Sequence, residues 1–130
     1  GTWTPVISAD AVPTAYANQV GVYTKVGRQV TIIFTINIST IGSFAGAQVK
    51  ITGLPFACGN LSTHSFGTLF LDGTASAVQG SGDLALRVSN NSSEALFQMN
   101  SGNTNGDNNV PASVIDTGTF IHGSATYFTD

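Results

Sequence analysis

Apolar and polar residues alternate most regularly over residues 28–38, RQVTIIFTINI. Val30, Ile32, Phe34, Ile36 and Ile38 fall on one face; Thr31, Thr35 and Asn37, together with Ile33, fall on the other. Successive side chains of a strand point to opposite faces, so a period of two over this length predicts a half-buried β-strand. Burying its five apolar side chains is worth roughly 1.5–3 kcal/mol each, an upper bound because the unfolded chain is already compact. This strand is expected to anchor the core.

The same pattern predicts strands over 3–8, 19–25, 47–53, 65–71, 84–89, 94–99 and 118–128, each rich in β-branched or aromatic residues. Turn chemistry separates them: Val26-Gly27, Asp72-Gly73, Gly80-Ser81-Gly82 and Asn90-Asn91. Glycine supplies positive φ there, and Asn or Asp tolerates it. Helix signals are nearly absent. About eight short strands with turns between them predict one all-β domain over residues 1–130, a sandwich or jelly roll. Lys25 and Arg28 flank Val26-Gly27, which reads as a tight turn joining 19–25 to 28–38 and fixing which face of the long strand is buried. The two cations read as hairpin-end charges that discourage edge pairing.

Composition narrows the function classes. Only 8% of the residues are charged, against about 25% in an average soluble domain. The polar surface must come from Ser, Thr, Asn and Gln. Such a surface has little charge repulsion to keep copies apart, which favours an oligomer. A net charge of −3 with four cations gives no basic cluster for nucleic acid. No apolar run approaches the ~20 residues of a membrane helix, so no membrane insertion is expected. The single cysteine, Cys58, excludes an intrachain disulfide and reads as a small buried hydrophobe.

Candidate chemistry is sparse. His64 and His122 accompany many serines, but no nucleophile elbow is present, and the seven acids stand apart in sequence. No enzyme and no cofactor are expected. Asp72 and Asp116 read as turn-formers. His64 reads as a loop hydrogen-bonder. His122 shares the parity of Phe120 and is expected to face inward or into a subunit interface, where copies about a three-fold axis could meet. Residues 100–109, NSGNTNGDNN, break the strand rhythm. Asn103, Asn105, Asp107 and Asn108 offer paired donors and acceptors that suit vicinal sugar hydroxyls, whereas one carboxylate is little for calcium. Sugars also need aromatic platforms; Tyr16, Phe44 and Phe66, near turns, are the candidates, with His64 beside Phe66.

Four motifs appear in order: GTWTP over residues 1–5, YTKVG over 23–27, TGLPF over 52–56 and GSATYF over 123–128. They resemble a family of C-terminal domains of bacteriophage, or prophage, tail fibres and tailspikes. The matching positions include Trp3, Pro5, Tyr23, Gly27, Gly53, Pro55, Phe56 and Tyr127; residues 57–118 carry little of the pattern. The resemblance implies an antiparallel β-sandwich of jelly-roll type, part of a longer fibre protein and assembled as a homotrimer on the virion. It implies trimerisation, stabilisation and binding of host cell-surface glycan during adsorption. A disulfide-free β trimer fits survival outside a cell through slow unfolding of non-local pairings. Two other readings stand beside it: a clamp that only holds the trimer together, and a small esterase or glycosidase acting on polysaccharide.

Overall fold

A computed structural model describes residues 1–74, 84–99 and 109–130. The Gly80-Ser81-Gly82 turn and the loop residues Asn103, Asn105, Asp107 and Asn108 lie outside the described residues. The strands are β1 (Thr2–Trp3), β2 (Val6–Ser8), β3 (Ala15–Val26), β4 (Gln29–Thr40), β5 (Lys50–Thr52), β6 (Ser65–Asp72), β7 (Leu84–Val88), β8 (Glu94–Met99) and β9 (Phe120–Phe128). One 3-10 turn, Ala112–Val114, precedes β9. Every strand pairing is antiparallel.

The strands form one sheet in the order β1-β3-β4-β9-β6-β7-β8-β5-β2. β6, β7 and β8 are a meander, extended by β9 on one side and by β5 on the other. β1 and β2 lie at opposite edges although only Thr4 and Pro5 separate them in sequence. Three Cα steps span at most about 11 Å, so the sheet must curl until its edges nearly meet. Two side chains of β3 cross the seam: Gln19 Nε2 donates to the Pro5 carbonyl at 2.8 Å, and the Tyr16 hydroxyl donates to the Ile7 carbonyl at 3.4 Å. The strand expected over 3–8 is thus two short strands serving two edges. Pro5 marks the break because it has no N–H to give to a ladder.

The long hairpin of β3 and β4 pairs Lys25 with Val30 and Val26 with Gln29. Its two central residues are therefore Gly27 and Arg28, one position later than the sequence pattern suggested. Gly27 has φ +57°; glycine at the first central position matches the hairpin turn whose twist suits the flanking strands. Lys25 and Arg28 are not free end charges. Lys25 Nζ lies 5.4 Å from the centroid of the Phe56 ring and also donates to the Gly27 carbonyl, while Arg28 Nε donates to the Thr129 carbonyl at 2.7 Å. The cations pin the hairpin end to the segments beside it.

The inner face of the curl is the core. It contains Val30, Ile32, Phe34, Ile36 and Ile38 of β4, Ile121, Ala125 and Tyr127 of β9, Leu86 and Val88 of β7, and Ala95 and Phe97 of β8. Cys58 is buried among them as expected, and burial pushes its thiol up from its ordinary value. Residues of three of the sequence motifs meet near the hairpin end, and Trp3 of the first packs farther along the same hairpin. Tyr23 meets Phe56 edge-on at 5.3 Å, the Tyr127 hydroxyl donates to the Phe56 carbonyl at 2.9 Å, and Trp3 meets Phe34 edge-on at 5.9 Å. The Trp3 indole lies on Gly21, where an added Cβ would collide with its ring nitrogen. Pro5 is buried, Pro55 is half-buried, and Gly53 turns with φ +74°. Trp3 packs within its own chain.

Candidate functional site

The curl leaves an outer face, and on β3, β4, β9 and β6 the register fixes which side chains line it. Thr35 of β4 stands opposite Val20 of β3 and His122 of β9, and His122 in turn stands opposite Phe70 of β6. The next row holds Val22, Ile33, Ser124 and Thr68; at one end Val26 and Gln29 lie beside Phe128, and at the other Asn37 lies between Asn18 and Phe120. Phe66 lies two residues before Thr68 on the same face. These residues are exposed or half-buried because the opposite parity fills the core.

The composition of this face is unusual for a solvent-facing sheet. Phe66, Phe70, Ile33 and Val20 are 61%, 59%, 56% and 51% exposed, and Val22, Val26, Phe120 and Phe128 are exposed as well. Its outward positions include no Lys, Arg or Glu, and Asp72 at the end of β6 is its one acid. Its hydroxyls are largely occupied with one another. Thr31 and Thr126 lie 2.9 Å apart, Thr68 and Ser124 2.8 Å, and Thr35 Oγ1 is 3.1 Å from His122 Nδ1. His122 is nearly parallel to Phe120, with an interplanar angle of 7° and centroids 6.4 Å apart, and lies 6.2 Å from Phe70.

The other half of the sheet carries the charges. Lys50 of β5 and Glu94 of β8 form an ion pair at 2.9 Å, and Arg87 of β7 stands opposite Phe66, at the border of the neutral face. The molecule therefore has one polar, charged side and one neutral side of exposed Val, Ile and Phe. Four strands about 4.8 Å apart, over eight residue steps of about 3.3 Å, give the neutral side a flat area of roughly 500 Å². Eight exposed Val, Ile and Phe side chains share that area with Thr, Ser, Asn, Gln and His, and so many apolar side chains on one solvent-facing side mark a candidate interaction site.

The residues singled out from sequence scatter. Phe66 is on the neutral face. Tyr16 is half-buried with its hydroxyl turned to Ile7, and burial raises its pKa from the ordinary value, so it offers no open ring platform. Phe44 is partly buried against the core. His64 is exposed just before β6, six residues and about 20 Å of strand from Phe70, the cross-strand partner of His122. His122 does not point inward; its parity with Phe120 holds, and both lie on the outer face. Asp72 and Asp116 are turn-formers as expected, accepting from the N–H of Gly73 and Thr117 at 2.8 and 2.7 Å. Among the described residues no group of three His, Cys, Asp or Glu could hold a metal.

The neutral face as a whole was missed from sequence, though its signal was present. Ile33 interrupts the polar parity of the long strand, and Val20, Val22, Phe70 and Phe120 all stand opposite in parity to core residues. Comparisons with protein-family models, curated protein sequences and solved structures return no match.

Proposed function

We propose that this chain is a non-enzymatic tip domain of a phage or prophage tail fibre or tailspike, assembled as a homotrimer on the virion and attaching to host cell-surface glycan during adsorption. The observation that carries the reading is the neutral outer face of β3, β4, β9 and β6. Exposed Val, Ile and Phe on either side of a band of hydroxyls already bonded to each other suit a protein surface better than water. The patch holds few charges to repel another copy or to require desolvation.

The trimer, the jelly-roll wrap of the sandwich and the glycan task come from the family resemblance. The packing of Tyr23 and Tyr127 on Phe56 gives three of the shared residues a structural role. Assembly and attachment are tested separately. Sedimentation at micromolar concentration is expected to give a trimer. Adsorption of the labelled chain to bacterial cells, with and without competing surface polysaccharide, tests attachment. A trimer that adsorbs to no bacterial surface would reduce the domain to the clamp; release of acetate or reducing ends from polysaccharide would overturn the non-enzymatic reading.

A further inference from the structure

The charged side of the sheet holds a cation without an acceptor. Among the described residues Lys25 donates to the Gly27 carbonyl, Arg28 to the Thr129 carbonyl and Lys50 to Glu94, whereas the side chain of Arg87 has no hydrogen-bond partner. Arg87 is half-buried, and its Nε is shielded from water. Its two Nη groups are neither shielded nor bonded within the described residues. The guanidinium is thus covered along its stem and open at its outer fork. Such a fork offers two parallel N–H donors to the two oxygens of a carboxylate. A charged donor drawn partly out of water without a partner is a cost that a bound anion removes.

The register places the other parts of a sugar site around this fork. One row of outward positions runs through Lys50, Leu96, Arg87 and Phe66 across β5, β8, β7 and β6. Directly opposite residues of an antiparallel pair have Cβ atoms about 5 Å apart, so Phe66 adjoins Arg87, and its ring is 61% exposed. Such a ring can lie against the C–H face of a pyranose whose carboxylate meets Arg87. Hydroxyl partners stand beside it: Ser89 is two residues on along β7, and exposed His64 precedes Ser65, the partner of Val88. Glu94, the nearest acid in the register, is held by Lys50 at 2.9 Å and leaves the charge of Arg87 uncompensated. We propose that this position takes a carboxylate-bearing sugar residue, with Arg87 holding the carboxylate and Phe66 the ring. The proposal rests on the glycan-attachment reading above and names its sugar class and its place. One uncommitted cation matches one negative charge, whereas a phosphomonoester, near −2 at neutral pH, would turn its second charge toward Glu94.

A glycan array tests this with oligosaccharides bearing glucuronate, galacturonate or sialate, their carboxyl-reduced counterparts, and phosphorylated glycans. The unaltered chain is expected to bind carboxylate-bearing members and not the reduced ones. Arg87→Gln is expected to weaken that binding roughly 10- to 100-fold, and Phe66→Thr to weaken it as well. Arg87→Lys keeps the charge without the fork and is expected to bind less tightly than the unaltered chain. Neither Arg87 nor Phe66 bonds a partner within the described residues, so each variant is expected to keep its fold, which urea unfolding checks. Equal binding of the reduced glycans, a preference for phosphorylated ones, or carboxylate binding that survives in folded Arg87→Gln would overturn the site while glycan attachment stands. Binding to no glycan at all would remove both.

Discussion

Tyr127 shows how a single residue ties the fold to pH. Its ring is fully buried, its hydroxyl donates to Phe56, and burial pushes its pKa up to about 12 from an ordinary value of 10.0. The neutral phenol is therefore favoured in the folded chain. Below pH 10 this contribution is fully present; as pH rises from 10 to 12 the unfolded chain loses its proton first, and stability falls. The loss is on the order of 2 kcal/mol, and Cys58 and Tyr16, also raised by burial, add to it in the same direction. Urea midpoints measured from pH 8 to 12 are expected to drop above pH 10, and Tyr127→Phe to flatten part of that drop while lowering stability at neutral pH. Gly67 is a second point of leverage. It pairs with Ala125, and a Cβ there would collide with the Ser124 carbonyl. Gly67→Ala is expected to cost about 2–4 kcal/mol in chemical unfolding by forcing β6 from β9. No sequence pattern announced that role, because close approach of two strands is a property of their register.

At the scale of elements, the long hairpin carries the core on one face and the proposed contact on the other, and β4 separates them by parity. Ile36→Ala, on the buried face, is expected to lower unfolding free energy by about 2–5 kcal/mol. Ile33→Thr, three residues earlier and outward, is expected to change it by less than about 0.5 kcal/mol while weakening association in sedimentation. Equal losses of monomer stability from both would contradict the assignment of faces. Gly27→Val is expected to cost about 1–2 kcal/mol because φ +57° suits no β-branched residue. The strands themselves were legible: periods of two and intervening turns marked eight segments, and the inner face of β4 was read correctly to the residue. The break of 3–8 into edge strands was not, since which edges a strand joins depends on partners far away in sequence. The residues of the sugar-binding reading, Asn103, Asn105, Asp107 and Asn108, lie outside the described residues.

At the scale of the whole molecule, the unequal distribution of charge gives the low charge content a place. Lys50, Glu94 and Arg87 lie on one side, Lys25 and Arg28 pin one end, and the face of β3, β4, β9 and β6 is left neutral and apolar. The composition favours an oligomer, and the register puts Val20, Ile33, Phe70 and Phe120 on one outer side of a curled sheet, where the proposed contact lies. Tyr23, Phe56 and Tyr127, far apart in sequence, meet near the hairpin end. The proposed assembly requires that the neutral face be covered in solution. Sedimentation velocity of the chain at micromolar concentration decides it most directly. The expected result is a single species of three times the 13.4 kDa chain mass, converted to monomer by V22D/I33D; a monomer that stays soluble with its neutral face in water would contradict it.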